Sequence, residues 1–168
     1  MNTARTALLI IIGTLAVAPA AIAGTDIDDL TVTATVQDSC IITGGTLAFG
    51  VYDTVSGAAV DASMAQSVEC TQGAMTTITL GEGDHADAGS AAAAPLRRLN
   101  DGGTSYLSYS LFSDVGRTTV WGDTADTGKD YTATSSAASN QTVYGRLAAN
   151  QNAVPGSYAD TVIVTITF

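Results

Sequence analysis

The segment Ser157–Phe168 reads S-Y-A-D-T-V-I-V-T-I-T-F. Alternation this strict, over this length, predicts a β-strand with two unlike faces. Tyr158, Val162, Val164, Ile166 and Phe168 fall on one face; Thr161, Ile163, Thr165 and Thr167 fall on the other. No turn or polar tail follows, so the strand is expected to present an edge of backbone N–H and C=O groups that proteins rarely leave open. A partner strand must come from the same fold or from another chain.

The rest of the sequence repeats that signal and offers almost no helix. Ala91–Ala94 is the one helix-friendly run after the N-terminal segment, and Pro95 closes it within a turn. Alternating or short apolar runs recur at 30–36, 40–43, 46–49, 66–70, 75–80, 105–112, 118–121 and 143–147. Between them lie stretches rich in Gly, Asp, Asn and Ser, at 81–89, 100–103 and 123–140. Many short strands joined by such turns predict an all-β sandwich.

The first residues read as an export leader. Arg5 precedes the apolar run 7–17, and Ala21-Ile-Ala23 supplies a small-x-small cleavage pattern, so residues 1–23 are expected to be removed after Ala23. The apolar run ends at Pro19, well short of the roughly 20 residues needed to span a bilayer, and the mature chain is expected not to span a membrane. The whole sequence carries 16 acidic against six basic residues, a net charge of −10, and without Arg5 the mature chain stands at −11. That balance argues against nucleic acid and anionic membrane surfaces, both of which select basic patches. In an exported chain the two cysteines, Cys40 and Cys70, are expected to form a structural disulfide. They cannot supply a four-ligand zinc site.

No motif points to catalysis or to a cofactor. The single histidine, His85, lies in the Gly/Asp-rich stretch 81–87 with no nucleophile elbow in the sequence, and is expected as an exposed loop residue. Gly81-Glu-Gly-Asp84 lacks the third glycine and the helix of a dinucleotide fingerprint. The acidic groups at 26–29 and 84–87 lack the twelve-residue calcium-loop pattern. No enzyme activity, cofactor or metal is expected.

The N-terminal alternating run is the second unusual feature. After the polar stretch 24–29, Leu30, Val32, Ala34 and Val36 share one face and Thr31, Thr33 and Thr35 the other. Without this run about six main strands remain, one short of the seven of an immunoglobulin-like sandwich. A sandwich lacking an edge strand has an apolar groove, and an arm of this pattern can fill it by strand addition. One groove and one arm per copy would give head-to-tail contacts and an open fibre. The strand count allows an arm from the same chain equally well.

Several stretches in order resemble one family. They are Asp38-Ser-Cys40, Leu47-Ala-Phe-Gly-Val-Tyr52, Val68-Glu-Cys-Thr-Gln-Gly73, Arg98-Leu99 and 107–114, then Thr119-Val-Trp-Gly122, Val143-Tyr-Gly-Arg-Leu147 and 154–168. Together they are similar to the spore coat protein U domain family, which includes the archaic (Csu-type) chaperone–usher pilins. The resemblance implies an incomplete immunoglobulin-like β-sandwich completed by a donor strand. It also implies a secreted subunit of a pilus or coat-like layer, serving adhesion and biofilm formation. Its implied partners are a periplasmic chaperone, an outer-membrane usher and further copies of itself or related subunits. Carried onto this chain, residues 24–36 are the donor segment, with Leu30, Val32, Ala34 and Val36 as its inserting residues and Ile27 as a further candidate. Residues 37–168 form the sandwich, and Val162, Val164, Ile166 and Phe168 line the strand that receives a chaperone or donor strand. The chaperone's basic cleft residues would hold the Phe168 carboxylate. A single domain resembles a shaft subunit more than a two-domain tip adhesin. The competing reading is a secreted monomeric module, completed by its own arm, that binds carbohydrate or another surface through loops 81–103 and 123–140.

Overall fold

The computed structural model describes residues 22–168. The leader expected over 1–23 therefore lies, up to residue 21, outside the described residues. Val36–Phe168 forms one compact unit, and residues up to Thr35 fall in a separate one. Within the latter, residues 22–35 form no helix or strand and are exposed.

Eight strands build the compact unit: β1 (Cys40–Thr43), β2 (Val60–Cys70), β3 (Met75–Leu80), β4 (Arg97–Asn100), β5 (Tyr106–Phe112), β6 (Lys129–Thr132), β7 (Ser139–Leu147) and β8 (Val164–Thr167). They form a five-stranded sheet in the order β1-β2-β7-β5-β4 and a three-stranded sheet in the order β6-β3-β8. Every pairing is antiparallel. A short 3-10 turn, Ala125–Thr127, is the only helical element among the described residues. No described helix is long and apolar enough to cross a membrane.

Period-two patterning decides which side chains meet between the sheets. Ile78 and Leu80 of β3 face Leu107, Tyr109 and Leu111 of β5 and Val143 and Leu147 of β7, all buried, with Val68 from β2. Trp121 is fully buried, and its indole N–H donates to the Ile78 carbonyl at 2.7 Å. Arg97, on β4, is a buried cation. Its Nε donates to the Gly81 carbonyl at 2.7 Å, and its Nη2 donates to the carbonyls of Leu80 at 2.6 Å and Trp121 at 2.9 Å. Burial pulls its guanidinium pKa down, while the charges of Tyr109, Asp160, Asp123 and Glu82 oppose that. The side chain thus ties an edge of the larger sheet to the end of β3 in the smaller one.

The expected strands 75–80, 105–112 and 143–147 appear as β3, β5 and the second half of β7, and 66–70 is the last part of the longer β2. The expected strands 46–49 and 118–121 are irregular apart from a bridge between Phe112 and Val120. Residues 46–49 pass over β7 with Leu47 and Phe49 turned onto Gly145, where a Cβ would stand 3.0 Å from Leu47 Cδ2 and 2.8 Å from Phe49 Cζ. The run 30–36 pairs with no strand. A single alternating segment has no ladder to satisfy its backbone, and water serves it as well. The stretch 91–94 closes as a tight turn, with the Ala94 amide donating to the Ala91 carbonyl at 2.8 Å.

Candidate strand-binding cleft

The segment 157–168 changes sheets along its length. At Ala159 it pairs with Asn100 at the end of β4, amide to carbonyl in both directions at 2.9 and 3.0 Å. It then crosses to the smaller sheet, where the Asp84 amide donates to the Thr161 carbonyl and the Gly81 amide to the Ile163 carbonyl. β8 continues this ladder with Thr165 opposite Thr79 and Thr167 opposite Thr77. In an antiparallel pair the hydrogen-bonded residues alternate. Because Thr161 and Ile163 bond toward the β3 side, the N–H and C=O groups of Val162, Val164, Ile166 and Phe168 face the other way. No strand among the described residues pairs with that edge.

A cleft runs beside the free edge. Its wider part, about 860 Å³, lies between residues 46–54 and 153–160, over Leu99, Leu107 and Leu147. Its narrower part, about 170 Å³, continues past Gly44, Gly45 and Met64 on one side and Val162 and Val164 on the other. The two parts share Leu47, Phe49, Leu99 and Asp160. β1 approaches β8 on this side of the sandwich. The lining mixes aliphatic and aromatic side chains with polar ones such as Thr46, Thr54, Gln66 and Ser157, and the Phe49 ring meets Tyr109 edge-on at a centroid distance of 6.0 Å. Its only charged members are two acids, Asp53 and Asp160; no lysine or arginine lines it.

Asp160 sits where the chain switches sheets, its side chain 1% exposed. The Tyr109 hydroxyl donates to Oδ2 at 2.7 Å, and the His85 amide donates to Oδ1 at 3.2 Å. His85 Nδ1 lies 3.4 Å from the same Oδ1. Burial, and then the hydrogen bond to Asp160, raises the Tyr109 phenol above its ordinary range. His85 is therefore half-buried rather than the exposed loop residue expected, because Asp160 draws its loop against the switch point. Gly83, in that loop, has φ +85°, and a Cβ there would strike Asp160 Oδ2.

Of the residues expected on the receiving strand, Val162 and Val164 line the cleft and are half-buried. Ile166 packs against the core, and Phe168 is 55% exposed. Leu30, Val32 and Val36 are 87%, 83% and 81% exposed, and Ala34 is exposed as well. Cys40 and Cys70 are joined, directly opposite one another across the β1–β2 ladder, which pins β1 where the chain turns away toward Val36. Sequence reasoning missed Tyr109 and Asp160 as cleft residues. The alternation of Leu107, Tyr109 and Leu111 carried the signal for the first. An acid in Tyr-Ala-Asp-Thr reads as a solvated turn and carried none for the second.

Comparison with known proteins bears on the family and the fold. Residues 27–165 match the Spore Coat Protein U domain, and the chain belongs to that family. It is similar to Protein U of Myxococcus xanthus, at 46% identity over 131 residues, covering 74% of this chain and 73% of that protein. In fold it is similar to a chain in the crystal structure of the CsuC–CsuE chaperone–tip adhesion subunit pre-assembly complex from archaic chaperone-usher Csu pili of Acinetobacter baumannii. There the TM-score is 0.55 at 17% identity, and the match covers 80% of this chain but 40% of that chain. The chain is thus an all-β, incomplete immunoglobulin-like sandwich.

Proposed function

We propose that this chain is a structural subunit of a secreted surface fibre, assembled by donor-strand exchange along a chaperone–usher route. The observation that carries the reading is the unpaired edge of Val162–Phe168, whose Val162 and Val164 line a largely apolar cleft. The chain itself contains a segment of matching chemistry, Leu30–Val36, whose apolar side chains are exposed. Inserted from a second copy, that segment would pair with the free edge while its four apolar side chains enter the cleft. A periplasmic chaperone would lend a strand to the same edge until an outer-membrane usher brings the next subunit. Adhesion and biofilm formation would follow from the fibre. The family and the fold support a structural rather than a catalytic protein. His85 fits that reading, since its near contact goes to a carboxylate that shapes the cleft wall.

The test deletes residues 24–36 and co-expresses the remainder with its chaperone and usher. The reading requires chaperone-bound subunits to accumulate without fibres. Fibres of normal length from the deletion would overturn it. A wild-type chain that stays a soluble, stable monomer in the periplasm without a chaperone would favour the self-completed module instead.

A further inference from the structure

We infer that the acids bracketing the arm act as a register lock, so that only one alignment of the arm fits the cleft. The inference rests on the strand-exchange reading and concerns what makes that exchange specific. On the face of the arm that carries Leu30, Val32, Ala34 and Val36, the next residues outward are Asp28 on one side and Asp38 on the other. The apolar run is four residues long and ends in a carboxylate at each end. The opposite face carries Thr31, Thr33 and Thr35.

Two kinds of slip are open to an inserted strand, and the arm penalises each. A shift by one residue turns the whole strand over and sends three threonine hydroxyls into the apolar lining, where each loses its water. A shift by two keeps the apolar face inward but carries Asp28 or Asp38 into the cleft. A carboxylate there needs a cationic or hydrogen-bonding partner. The cleft supplies no cation, and the charges already lining it belong to Asp53 and Asp160. Asp160 is buried at the junction of the two parts, with its oxygens already engaged by Tyr109 and His85. An arriving carboxylate therefore meets desolvation and like charge together. A cleft lined by acids also selects against any strand with an acid on its inserting face, which gives subunit order a chemical basis.

The test uses the full mature chain assembled with its chaperone and usher, with a photo-crosslinking residue in place of Thr33. The cross-linked residue of the neighbouring copy is mapped by mass spectrometry. The wild type should yield one site along 157–168. Asp28→Val should add a second, displaced by two residues, with that alignment enriched by roughly a hundredfold. Asp26→Val, which removes the same charge from the same face but leaves Asp28 as the block, should keep the single site. One site in Asp28→Val would overturn the lock, and so would a second site in Asp26→Val, since the effect would then be general charge removal. No inter-copy cross-link in the wild type would instead overturn strand exchange itself.

Discussion

Arg97→Met gives the clearest measure of what holds the two sheets together. Arg97 makes three hydrogen bonds to carbonyls, those of Leu80 and Gly81 at the end of β3 and that of Trp121. Methionine fills much of the same volume but offers no donor. Three carbonyls then lose a charge-assisted bond, and each buried orphan costs about 1–3 kcal/mol. Against this, the variant recovers the desolvation cost of a buried cation, several kcal/mol. The Asp160 carboxylate, which favours the Arg97 charge, also loses its counter-charge. Breaking a buried, hydrogen-bonded charge typically costs about 3–5 kcal/mol net, and that is the expected loss. With total stability of order 5–15 kcal/mol, such a loss is a large share of the whole. Urea unfolding of the oxidised mature chain, followed by Trp121 fluorescence, measures it. Arg97→Lys should recover less than half, because a point charge cannot serve three carbonyls as a planar fork does. If Arg97→Met lies within about 1 kcal/mol of wild type, the buried charge is not what joins the sheets, and the packing of Trp121 must carry that role.

Three further outcomes are expected. Reducing the Cys40–Cys70 bond, whose cysteines are 30 residues apart, should cost about 3–4 kcal/mol on the chain-entropy model. It should also loosen β1, which leads into Gly44 and Gly45 of the cleft lining, read as lost assembly together with a lower urea midpoint under reductant. Gly83→Ala and Gly73→Ala both force alanine into the left-handed region, at φ +85° and +88°. Only the first places a Cβ on Asp160, so it should destabilise by at least about 1 kcal/mol more in the same unfolding assay. Because Tyr109 keeps its phenolic proton more tightly when folded, the unfolded chain ionises first as pH rises past about 10. Stability should therefore fall on that side, and Tyr109→Phe should flatten the alkaline limb of a stability-against-pH curve while costing stability near neutrality.

What the sequence revealed depended on whether one segment held its own explanation. β3 and β5 were legible because Ile78 with Leu80, and Leu107 with Leu111, alternate against polar neighbours and end at turns. β6 was not, since Lys-Asp-Tyr-Thr carries one apolar side chain and forms only because β3 offers a ladder. β4 was hidden for the opposite reason: Arg97 reads as a surface cation, and nothing local shows that three distant carbonyls converge on it. The same holds at the cleft. Val162 and Val164 announced themselves by alternation, whereas Asp160 became a cleft residue only once Tyr109 and His85 were brought to it from elsewhere in the chain.

The sheet edges explain why assembly would use one place and not others. β6, at one side of the smaller sheet, is four residues long and carries Lys129 and Asp130, the short charged edge that discourages further pairing. β4 has its outer edge partly closed by Ala159 at Asn100. β1 is short and stapled to β2. β8 is as short, but the edge of Val162–Phe168 is neither charged, covered nor stapled, and its inner face is valine and isoleucine. An unguarded apolar edge invites aggregation with any extended chain. On the proposed reading the same property creates the need for a chaperone and makes the subunit competent to polymerise. Guarding the edge with a lysine, as in Thr165→Lys, would not test this, because Thr165 faces outward. Val164→Lys would, since it places the charge in the cleft beside the free backbone.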